Sequence, residues 1–388
     1  MSNRKSINNN YKINIIFNSS VKGHVLEYVH NIYMHVVNRE EKFIFLLPEN
    51  FNERKTNLEW PDAPNVSFCF ITNEEERTCN STNFYASSLA LCRCTRKYAK
   101  IFKADNVFFI FLIRPMPFLP FYLPHGTKAS GIIYAIPIYK SVQSRLQKIK
   151  DGIIYKLYAS KKSIKNVFLL NDPRSVEFYN KKYGTNKFVH LTDPIPEINM
   201  SQVRDLRKEL NIPQENTMYL QIGSMEKRKN TLQIIRALRL MSSEDTCDKT
   251  FIFLGGIDKD AKEELNALLK EKKVQVIVKE GFVPYEYLNS MCYTSNVILT
   301  LYSNVEMSSG SIGYAAYFGK PVIGPSTGLL GNLIRDNNLG YTIDKITPGS
   351  IRDAFLTKIT PQDSDYTVSH TVSKFCETIL ETLNSKQS

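Results

Sequence analysis

Three short stretches in the second half of the chain have residue types that suit binding of a phosphate or a sugar. The first, residues 223–230, reads Gly-Ser-Met-Glu-Lys-Arg-Lys-Asn and contains Lys227, Arg228 and Lys229 in succession. Three cations before the amino end of a helix would attract an anion, because the helix dipole and the free amides add to their charge. The alternative is an ordinary solvated basic loop.

The second stretch, residues 306–313, reads Glu-Met-Ser-Ser-Gly-Ser-Ile-Gly. Small residues such as Ser309, Gly310 and Ser311 let the backbone approach a ligand closely, and their amides can donate hydrogen bonds to a diphosphate. Glu306, at the entry, could accept hydrogen bonds from sugar hydroxyls. A turn rich in serine and glycine is also common without any ligand.

The third stretch is the turn Gly-Phe-Val-Pro at residues 281–284. Phe282 and the backbone around Val283 could face a nucleotide base. The alternative is that Phe282 is simply a core residue.

Buried strands alternating with helices would hold these loops in place. The opening strand 13–17 is followed by the Gly23 turn, an apolar helical stripe from Val25 to Val36 and a second strand, a β-α-β order that implies a parallel sheet. The other predicted strands are 43–47, 66–71, 107–113, 131–135, 167–170, 188–191, 219–222, 251–254, 274–278, 297–301 and 321–324. Ligands bind at the carboxyl ends of the strands in such sheets.

A break at residues 193–196, Asp-Pro-Ile-Pro, predicts a linker between two α/β halves. We therefore divide the chain into residues 1–195, residues 196–360 and a C-terminal helix within 361–388 that would pack back on the first half.

The composition excludes some classes of protein and suggests partners. With 388 residues, 43% hydrophobic and 23% charged, the chain has the profile of a globular protein. Its net charge of +12 favours anionic partners. Seven cysteines without a CxxC pair predict reduced thiols in the cytoplasm rather than a zinc module. The polar first ten residues predict no signal peptide, and no apolar run is long enough to span a bilayer.

The three stretches, with the sequence Ala-Ala-Tyr-Phe-Gly-Lys-Pro-Val at residues 315–322, resemble the C-terminal half of GT-B glycosyltransferases, in particular the family 4 group (glycosyl transferases group 1). The resemblance covers roughly residues 218–343. It implies an α/β fold of GT-B architecture, with two Rossmann-like parallel-sheet domains facing a central cleft. The first domain would bind the acceptor, and the second would bind a nucleotide-sugar donor.

The resemblance also implies roles for individual residues. Lys229 matches the lysine that holds the donor diphosphate, and Glu306 matches the glutamate that contacts the donor sugar. Amides around residues 309–311 would neutralise the leaving diphosphate, and Gly23 would lie near the phosphates from the first domain. Gly223 would belong to the substrate-binding residues.

Two positions depart from the family pattern. Ser224 replaces the expected arginine after Gly223, so Arg228 or Lys227 would supply that charge. Tyr314 replaces the second glutamate, which in the family binds the nucleotide ribose. A phenol can exchange hydrogen bonds with a hydroxyl but has no charge at neutral pH.

Fixed cations and amides around a diphosphate favour charge separation as the sugar leaves. No Asp-x-Asp sequence lies near these loops, so we expect no metal and no other cofactor. The family implies retention at the anomeric carbon. His24 and His125 are structural or surface residues in the plainer interpretation, and the sequence assigns no catalytic base.

Residues 140–165 form a basic segment interleaved with apolar side chains. Its cations, opposed only by Asp151, are Lys140, Arg145, Lys148, Lys150, Lys156, Lys161, Lys162 and Lys165. Such a segment can lie on an anionic membrane, which predicts a cytoplasmic protein that is peripheral on the inner face of the membrane. A solvated helix face is the alternative.

The sequence thus predicts a hexosyltransferase that moves a sugar from a nucleotide-diphosphate sugar to a saccharide or lipid-linked acceptor in cell-surface polysaccharide or glycan synthesis. The alternatives are a non-catalytic nucleotide-sugar-binding paralogue and a nucleotide-sugar epimerase. A nucleic-acid partner is suggested by charge alone and is not expected, because no recognisable DNA- or RNA-binding module is present.

Overall fold

The computed structural model describes residues 11–20, 25–55, 58–140, 143–271, 273–360 and 364–385. The chain forms two compact units. Unit 1 comprises Met1–Tyr134, Ser144–Leu191 and Phe375–Ser388, and unit 2 comprises Ala135–Gln143 and Thr192–Lys374.

Unit 1 contains a seven-stranded sheet in the order β3-β2-β1-β4-β5-β6-β7, and every pairing in it is parallel. Each strand is followed by a helix or a loop that crosses back over the sheet, as parallel pairing requires. The elements are β1 Ile13–Phe17, α1 Val25–Val36, β2 Lys42–Pro48, α2 Phe51–Arg54, β3 Val66–Ile71, α3 Asn73–Cys79, α4 Phe84–Phe102, β4 Asn106–Phe109, α5 Leu119–Tyr122, β5 Lys128–Ile133, α6 Arg145–Ser160, β6 Ile164–Leu170, α7 Pro173–Tyr183 and β7 Phe188–Leu191.

Unit 2 contains a six-stranded sheet in the order β10-β9-β8-β11-β12-β13, again with only parallel pairings. Its elements are β8 Thr217–Ile222, α8 Thr231–Leu240, α9 Ser243–Thr246, β9 Lys249–Leu254, α10 Lys259–Glu271, β10 Gln275–Lys279, α11 Tyr285–Thr294, β11 Val297–Leu299, α12 Gly310–Tyr317, β12 Val322–Pro325, α13 Gly328–Asp336, β13 Gly340–Ile343, α14 Pro348–Leu356 and α15 Tyr366–Ser369.

Buried aromatic and aliphatic side chains fix the helices of unit 2 against its sheet. Tyr219 on β8 stacks on Phe251 of β9 with ring centroids 4.8 Å apart, and Phe355 of α14 packs against both rings. Leu238 of α8 joins the same buried cluster. This burial excludes water from the interface between the helices and the sheet.

The predicted α/β class with two parallel sheets is confirmed, and the predicted strands all occur with small shifts in their ends. The largest difference is β4, which stops at Phe109 although the apolar run continues to Ile113. Ile110 and Leu112 are buried without being in the strand, because the chain turns before Pro115. Continuous hydrophobicity therefore indicated burial rather than strand length.

The last helix, α16 Val372–Asn384, belongs in unit 1 from Phe375 onward. The Phe375 ring packs on Tyr28 of α1, with centroids 4.9 Å apart. At its carboxyl end, Lys165 Nζ donates to the carbonyl oxygens of Leu383 and Ser385, each at 2.7 Å. A cation at this end of a helix satisfies carbonyls that have no partner within the helix. Among the described residues, no helix has the length and apolar character needed to cross a membrane.

Candidate functional site

The candidate site in unit 2 lies where the strand order of its sheet reverses. β8 pairs with β11, although the strands that follow β8 in sequence lie on its other side. At such a switch point the loops leaving two neighbouring strands diverge and open a crevice at their carboxyl ends. Here these loops are residues 223–230, after β8, and residues 300–309, after β11.

Gly223 lets the chain turn sharply as it leaves β8. Its φ is +86°, and a Cβ on this residue would lie 2.7 Å from Lys229 Nζ. The Lys229 side chain folds back across the turn, where it is only 6% exposed, and Nζ donates to the Ile222 carbonyl oxygen at 2.5 Å. A glycine is therefore required both by the backbone conformation and by the space that the lysine occupies.

A buried amide on β8 holds the backbone of this loop. Gln221 Nε2 donates to the Lys229 carbonyl oxygen at 2.9 Å, and Gln221 Oε1 accepts a hydrogen bond from the Thr231 hydroxyl at 2.9 Å. Both ends of the amide are thus satisfied by residues on either side of Asn230. This arrangement fixes Lys229 at the start of α8.

Tyr302 links the basic loop to the serine-rich turn. Lys229 Nζ lies 5.2 Å from the centre of the Tyr302 ring, and the Tyr302 hydroxyl is 2.9 Å from Ser311 Oγ. Burial pushes the pKa of Tyr302 upward, but the Lys229 charge and hydrogen bonds from Ser309, Ser311 and Lys229 outweigh it, so this pKa lies below its ordinary value. The four residues Lys229, Tyr302, Ser309 and Ser311 form what we call the lysine–tyrosine cluster.

Backbone contacts tie the same two loops together. Asn230 Nδ2 donates to the Leu301 carbonyl oxygen at 2.8 Å, and the Ser303 amide donates to the Arg228 carbonyl oxygen at 2.8 Å. The structure therefore brings the first and second of the sequence-predicted stretches together. They are far apart in sequence but share one end of the sheet.

The other charges of the basic loop are more exposed than Lys229. Arg228 Nε lies 3.4 Å from Glu226 Oε2, and the Ser224 hydroxyl donates to the other oxygen of that carboxylate at 3.1 Å. Lys227 Nζ lies 3.6 Å from Asp260. Because these pairs are solvated, they hold their side chains only weakly and leave them able to move toward an anion.

The backbone fixes the entry to the second stretch. The Ile136 amide donates to the Glu306 carbonyl oxygen at 2.9 Å, Ala135 forms an antiparallel bridge with Met307, and the Ser308 hydroxyl donates to Asp193 at 3.3 Å. The Glu306 side chain is half-buried. Within the described part of the chain, no hydrogen bond or ion pair engages its carboxylate.

Ser309 caps α12, which begins at Gly310. The Ser309 hydroxyl accepts a hydrogen bond from the Ser311 amide at 3.3 Å, and Ser309 itself is extended. The amides at this helix start have no partner within the helix, which makes the end of α12 locally positive. Tyr314, one turn further, is buried on the inner face of α12.

The third stretch is not part of these contacts. The Phe282 side chain is 80% exposed, so the interpretation of Phe282 as a core residue is wrong. Val283 is half-buried. The φ of +96° at Gly281 gives the turn its shape.

Comparison with known proteins bears on this half of the chain. Residues 202–361 match the family model described as Glycosyl transferases group 1. The match lies within unit 2, and it is this segment that is similar to the family. No curated protein matches the chain.

Solved structures share the fold of the whole chain, that of GT-B glycosyltransferases. HepE of Anabaena in complex with UDP-glucose superposes with a TM-score of 0.63 at 15% identity, covering 97% of this chain and all of its own (100%). WaaG, a glycosyltransferase involved in lipopolysaccharide biosynthesis, superposes with a TM-score of 0.63 at 14% identity, covering 95% of this chain and 98% of its own. Sucrose-phosphate synthase of Thermosynechococcus elongatus superposes with a TM-score of 0.61 at 13% identity, covering 96% of this chain and 95% of its own.

Sequence reasoning missed two residues on which the geometry of the candidate site depends, Tyr302 and Gln221. Tyr302 follows the end of β11 and Gln221 lies near the end of β8, and both residue types also occur at many positions without a function. A signal was present only for Gln221, a polar residue inside an apolar strand. Such a residue usually has hydrogen-bond partners inside the protein, and here both partners belong to the site.

Unit 1 has a cavity at the equivalent switch point of its own sheet, between β1 and β4. Its volume is about 240 Å³, and its polar lining consists of Asn18, Ser19, Ser20, Asn80 and Arg114. Asn80 and Ser19 exchange two hydrogen bonds, of 2.7 and 3.1 Å. The guanidinium of Arg114 donates to the Ser87 hydroxyl at 3.1 Å.

Gly23 and His24, which follow this lining in sequence, lie outside the described residues. His125 is exposed in the turn before β5. The surface interpretation of His125 therefore holds.

Proposed function

We propose that the protein is a glycosyltransferase that moves a hexose from a nucleotide-diphosphate sugar to a saccharide or lipid-linked acceptor. The lysine–tyrosine cluster is the observation that supports this proposal most strongly. It places a buried cation next to the amide-rich start of α12, at the switch point of a segment that is similar to the group 1 glycosyl transferases.

In this proposal the diphosphate of the donor binds to the lysine–tyrosine cluster. The Lys229 ammonium uses one proton on the Ile222 carbonyl and one on the Tyr302 hydroxyl, which leaves one proton for a phosphate oxygen. Amides of residues 309–311 and the guanidinium of Arg228 complete the anion site, with Gly223 allowing the close approach. When the bond between the anomeric carbon and the diphosphate oxygen breaks, these groups stabilise the negative charge that the diphosphate gains.

The rest of the donor would lie along the same edge. We assign the Glu306 carboxylate to the hydroxyls of the donor sugar and the exposed turn at Phe282 and Val283 to the nucleotide base. Tyr314 stands in place of the ribose-binding glutamate of the family. The sugar would then form a glycosidic bond to an acceptor oxygen with retention at the anomeric carbon.

We propose that the cavity of unit 1 binds the acceptor. Its serine and asparagine side chains suit the hydroxyls of a saccharide, and Arg114 would favour a phosphate on the acceptor or its carrier. A lipid-linked acceptor fits a chain with a net charge of +12, because such acceptors carry anionic phosphates.

We further propose that transfer needs no divalent metal ion, because fixed cations already surround the proposed diphosphate position. Activity that survives EDTA would support this, whereas activity restored only by Mg²⁺ or Mn²⁺ would contradict it. We place the reaction in the cytoplasm, in synthesis of a cell-surface glycan. The seven free thiols, five of them buried, suit a reducing compartment.

A panel of nucleotide sugars tests the donor assignment, with UDP-glucose first because HepE binds it. Ligand binding to the native state raises the melting temperature, so the true donor should stabilise the protein at millimolar concentration. Incubation with that donor and a set of saccharide and lipid-linked acceptors should then yield a glycosylated product. Stabilisation without turnover would favour a nucleotide-sugar-binding paralogue, and a donor changed only at one sugar carbon would favour an epimerase.

A further inference from the structure

The solvent face of α6 in unit 1 is apolar. Leu146, Ile149 and Ile153 are 80%, 52% and 64% exposed. Their spacing of three and four residues places them in one row along the helix. A helix of a globular protein normally turns its apolar stripe toward the core, but here Tyr155, Tyr158 and Ala159 already fill that position.

Cations lie on both sides of this apolar row. At about 100° per residue, Arg145 and Lys156 fall on one side of the row and Lys150 on the other, and all three are exposed. Lys148 is also exposed, but it lies about 130° around the helix from the centre of the row, on the side of the buried Tyr155. The helix has one carboxylate, that of Asp151, which accepts a hydrogen bond from Gln147 at 2.8 Å.

Neighbouring elements continue the same pattern of aromatic rings beside ammonium groups. Lys150 Nζ lies 4.8 Å from the centre of the exposed Tyr85 ring at the start of α4. At the other end of α6, Lys161 Nζ lies 5.1 Å from the exposed Phe121 ring. Long cationic side chains that keep their charge in water while their stems cover apolar surface are typical of a membrane interface.

We propose that this face of α6 docks on an anionic lipid bilayer. Leu146, Ile149 and Ile153 would enter the boundary between head groups and acyl chains, while Arg145, Lys150 and Lys156 would contact anionic head groups on both sides of the row. Amphipathic helices of this composition lie in the plane of the interface. The proposal deepens the lipid-linked part of the proposed acceptor class, since it would hold unit 1 at the surface where such an acceptor is embedded.

The pattern fits a membrane better than a nucleic acid. Phosphates of DNA or RNA would meet the lysines, but the exposed aliphatic tips would gain little there, because nucleic-acid sites add aromatic or hydrogen-bonding side chains to their cations. An anionic bilayer offers both charge and an apolar layer. Experiment can separate the electrostatic attraction from the insertion of apolar side chains, because salt screens only the electrostatic attraction.

Vesicle flotation with the full-length protein tests the proposal without donor or acceptor present. We expect binding to phosphatidylcholine vesicles that contain phosphatidylglycerol, weaker binding at high salt, and little binding to phosphatidylcholine alone. Replacing Leu146, Ile149 and Ile153 together with glutamine should lower the bound fraction at least tenfold. The matched control replaces Leu240, Leu356 and Val368 of unit 2, which are similarly exposed, and should bind like the wild type.

A second pair of triple variants tests the contribution of the positive charges. Changing Arg145, Lys150 and Lys156 to glutamate should abolish binding, whereas the same change at the exposed Lys208, Lys270 and Lys345, which alters net charge equally, should reduce it only slightly. Equal losses in both triple variants would overturn the proposal, as would binding unaffected by the glutamine variant. Binding to duplex DNA or RNA that depends on the α6 lysines but not on the apolar row would assign the face to nucleic acid instead.

The glutamine variant also distinguishes the membrane-docking proposal from the proposed glycosyltransferase activity. Transfer to a water-soluble saccharide should proceed at the wild-type rate in the glutamine variant, because α6 contributes nothing to the lysine–tyrosine cluster. Loss of vesicle binding with retained transfer supports the docking face. Vesicle binding by a protein that transfers no sugar would leave the docking face intact and contradict only the proposed function.

Discussion

The Tyr302 hydroxyl lies 2.9 Å from Ser311 Oγ, and this one contact joins the loop after β11 to the start of α12. Because Lys229 Nζ also lies close to this side chain, 5.2 Å from the ring centre, a single tyrosine positions both the cation and the helix end of the candidate site. A displacement of Tyr302 would therefore disturb two parts of the anion site at once.

Replacing Lys229 with methionine should lower sugar transfer by about 100-fold or more, because the diphosphate loses its buried cation as it departs. Methionine keeps most of the side-chain volume, so the fold should survive, which a melting curve would verify. Lys262→Met is the matched control: this lysine of α10 is exposed and pairs with Glu280, outside the candidate site, so its loss should change transfer by less than about threefold. Similar losses in both variants would argue against a special role for Lys229.

Tyr302 should ionise at a lower pH than an ordinary tyrosine, because Lys229 and the Ser309 and Ser311 hydroxyls favour its phenolate despite its burial. Ultraviolet difference titration of wild type against Tyr302→Phe would detect this ionisation. Since the folded-state pKa lies below the unfolded one, the unfolded protein holds more protons just below pH 10, roughly. The free energy of unfolding of the wild type, relative to Tyr302→Phe, should therefore rise with pH in that window and stay flat near neutrality.

Gly223→Ala should reduce both stability and donor binding. The added Cβ would meet Lys229 Nζ at 2.7 Å and the φ of +86° is unfavourable for alanine, so the lysine must move. Gly126→Ala in unit 1 provides the comparison, because Gly126 has a φ of +87° but open space around it. Both variants should lose about 1 kcal/mol of stability from backbone conformation. Only Gly223→Ala should also lose the thermal stabilisation given by a nucleotide sugar, and retention of that stabilisation would refute the close approach.

Lys165 should make the stability of unit 1 depend on pH. Burial, followed by repulsion from Lys12 and Lys128, lowers the pKa of Lys165 to about 8. The folded protein therefore loses this proton first as the pH rises, while the unfolded chain keeps it up to about 10.4. Unfolding free energies of wild type should rise relative to those of Lys165→Met between pH 8 and pH 10, roughly, as the cost of burying the charge disappears. A constant difference across that range would contradict this assignment.

The sequence by itself determined the class of fold, and it located the two stretches that the structure brings together in the candidate site. Runs such as residues 43–47 and 251–254 are buried strands because they are apolar, and Gly223 marks the turn between a strand and a helix. These are local properties, set by side-chain hydrophobicity and by backbone freedom at glycine. They do not depend on which strands become neighbours.

Tertiary structure alone decided what meets at the strand ends and what remains uncovered. The pairing of β8 with β11 brings Lys229 to Tyr302. The sequence of neither strand predicts this pairing, because parallel strands are joined by long crossover connections. Helical periodicity likewise places Leu146, Ile149 and Ile153 in one row, but only packing determines which face of α6 is covered. Since buried aromatic residues occupy the opposite face of α6, the apolar row is exposed to water. Insertion into a membrane would remove the unfavourable free energy of that exposure.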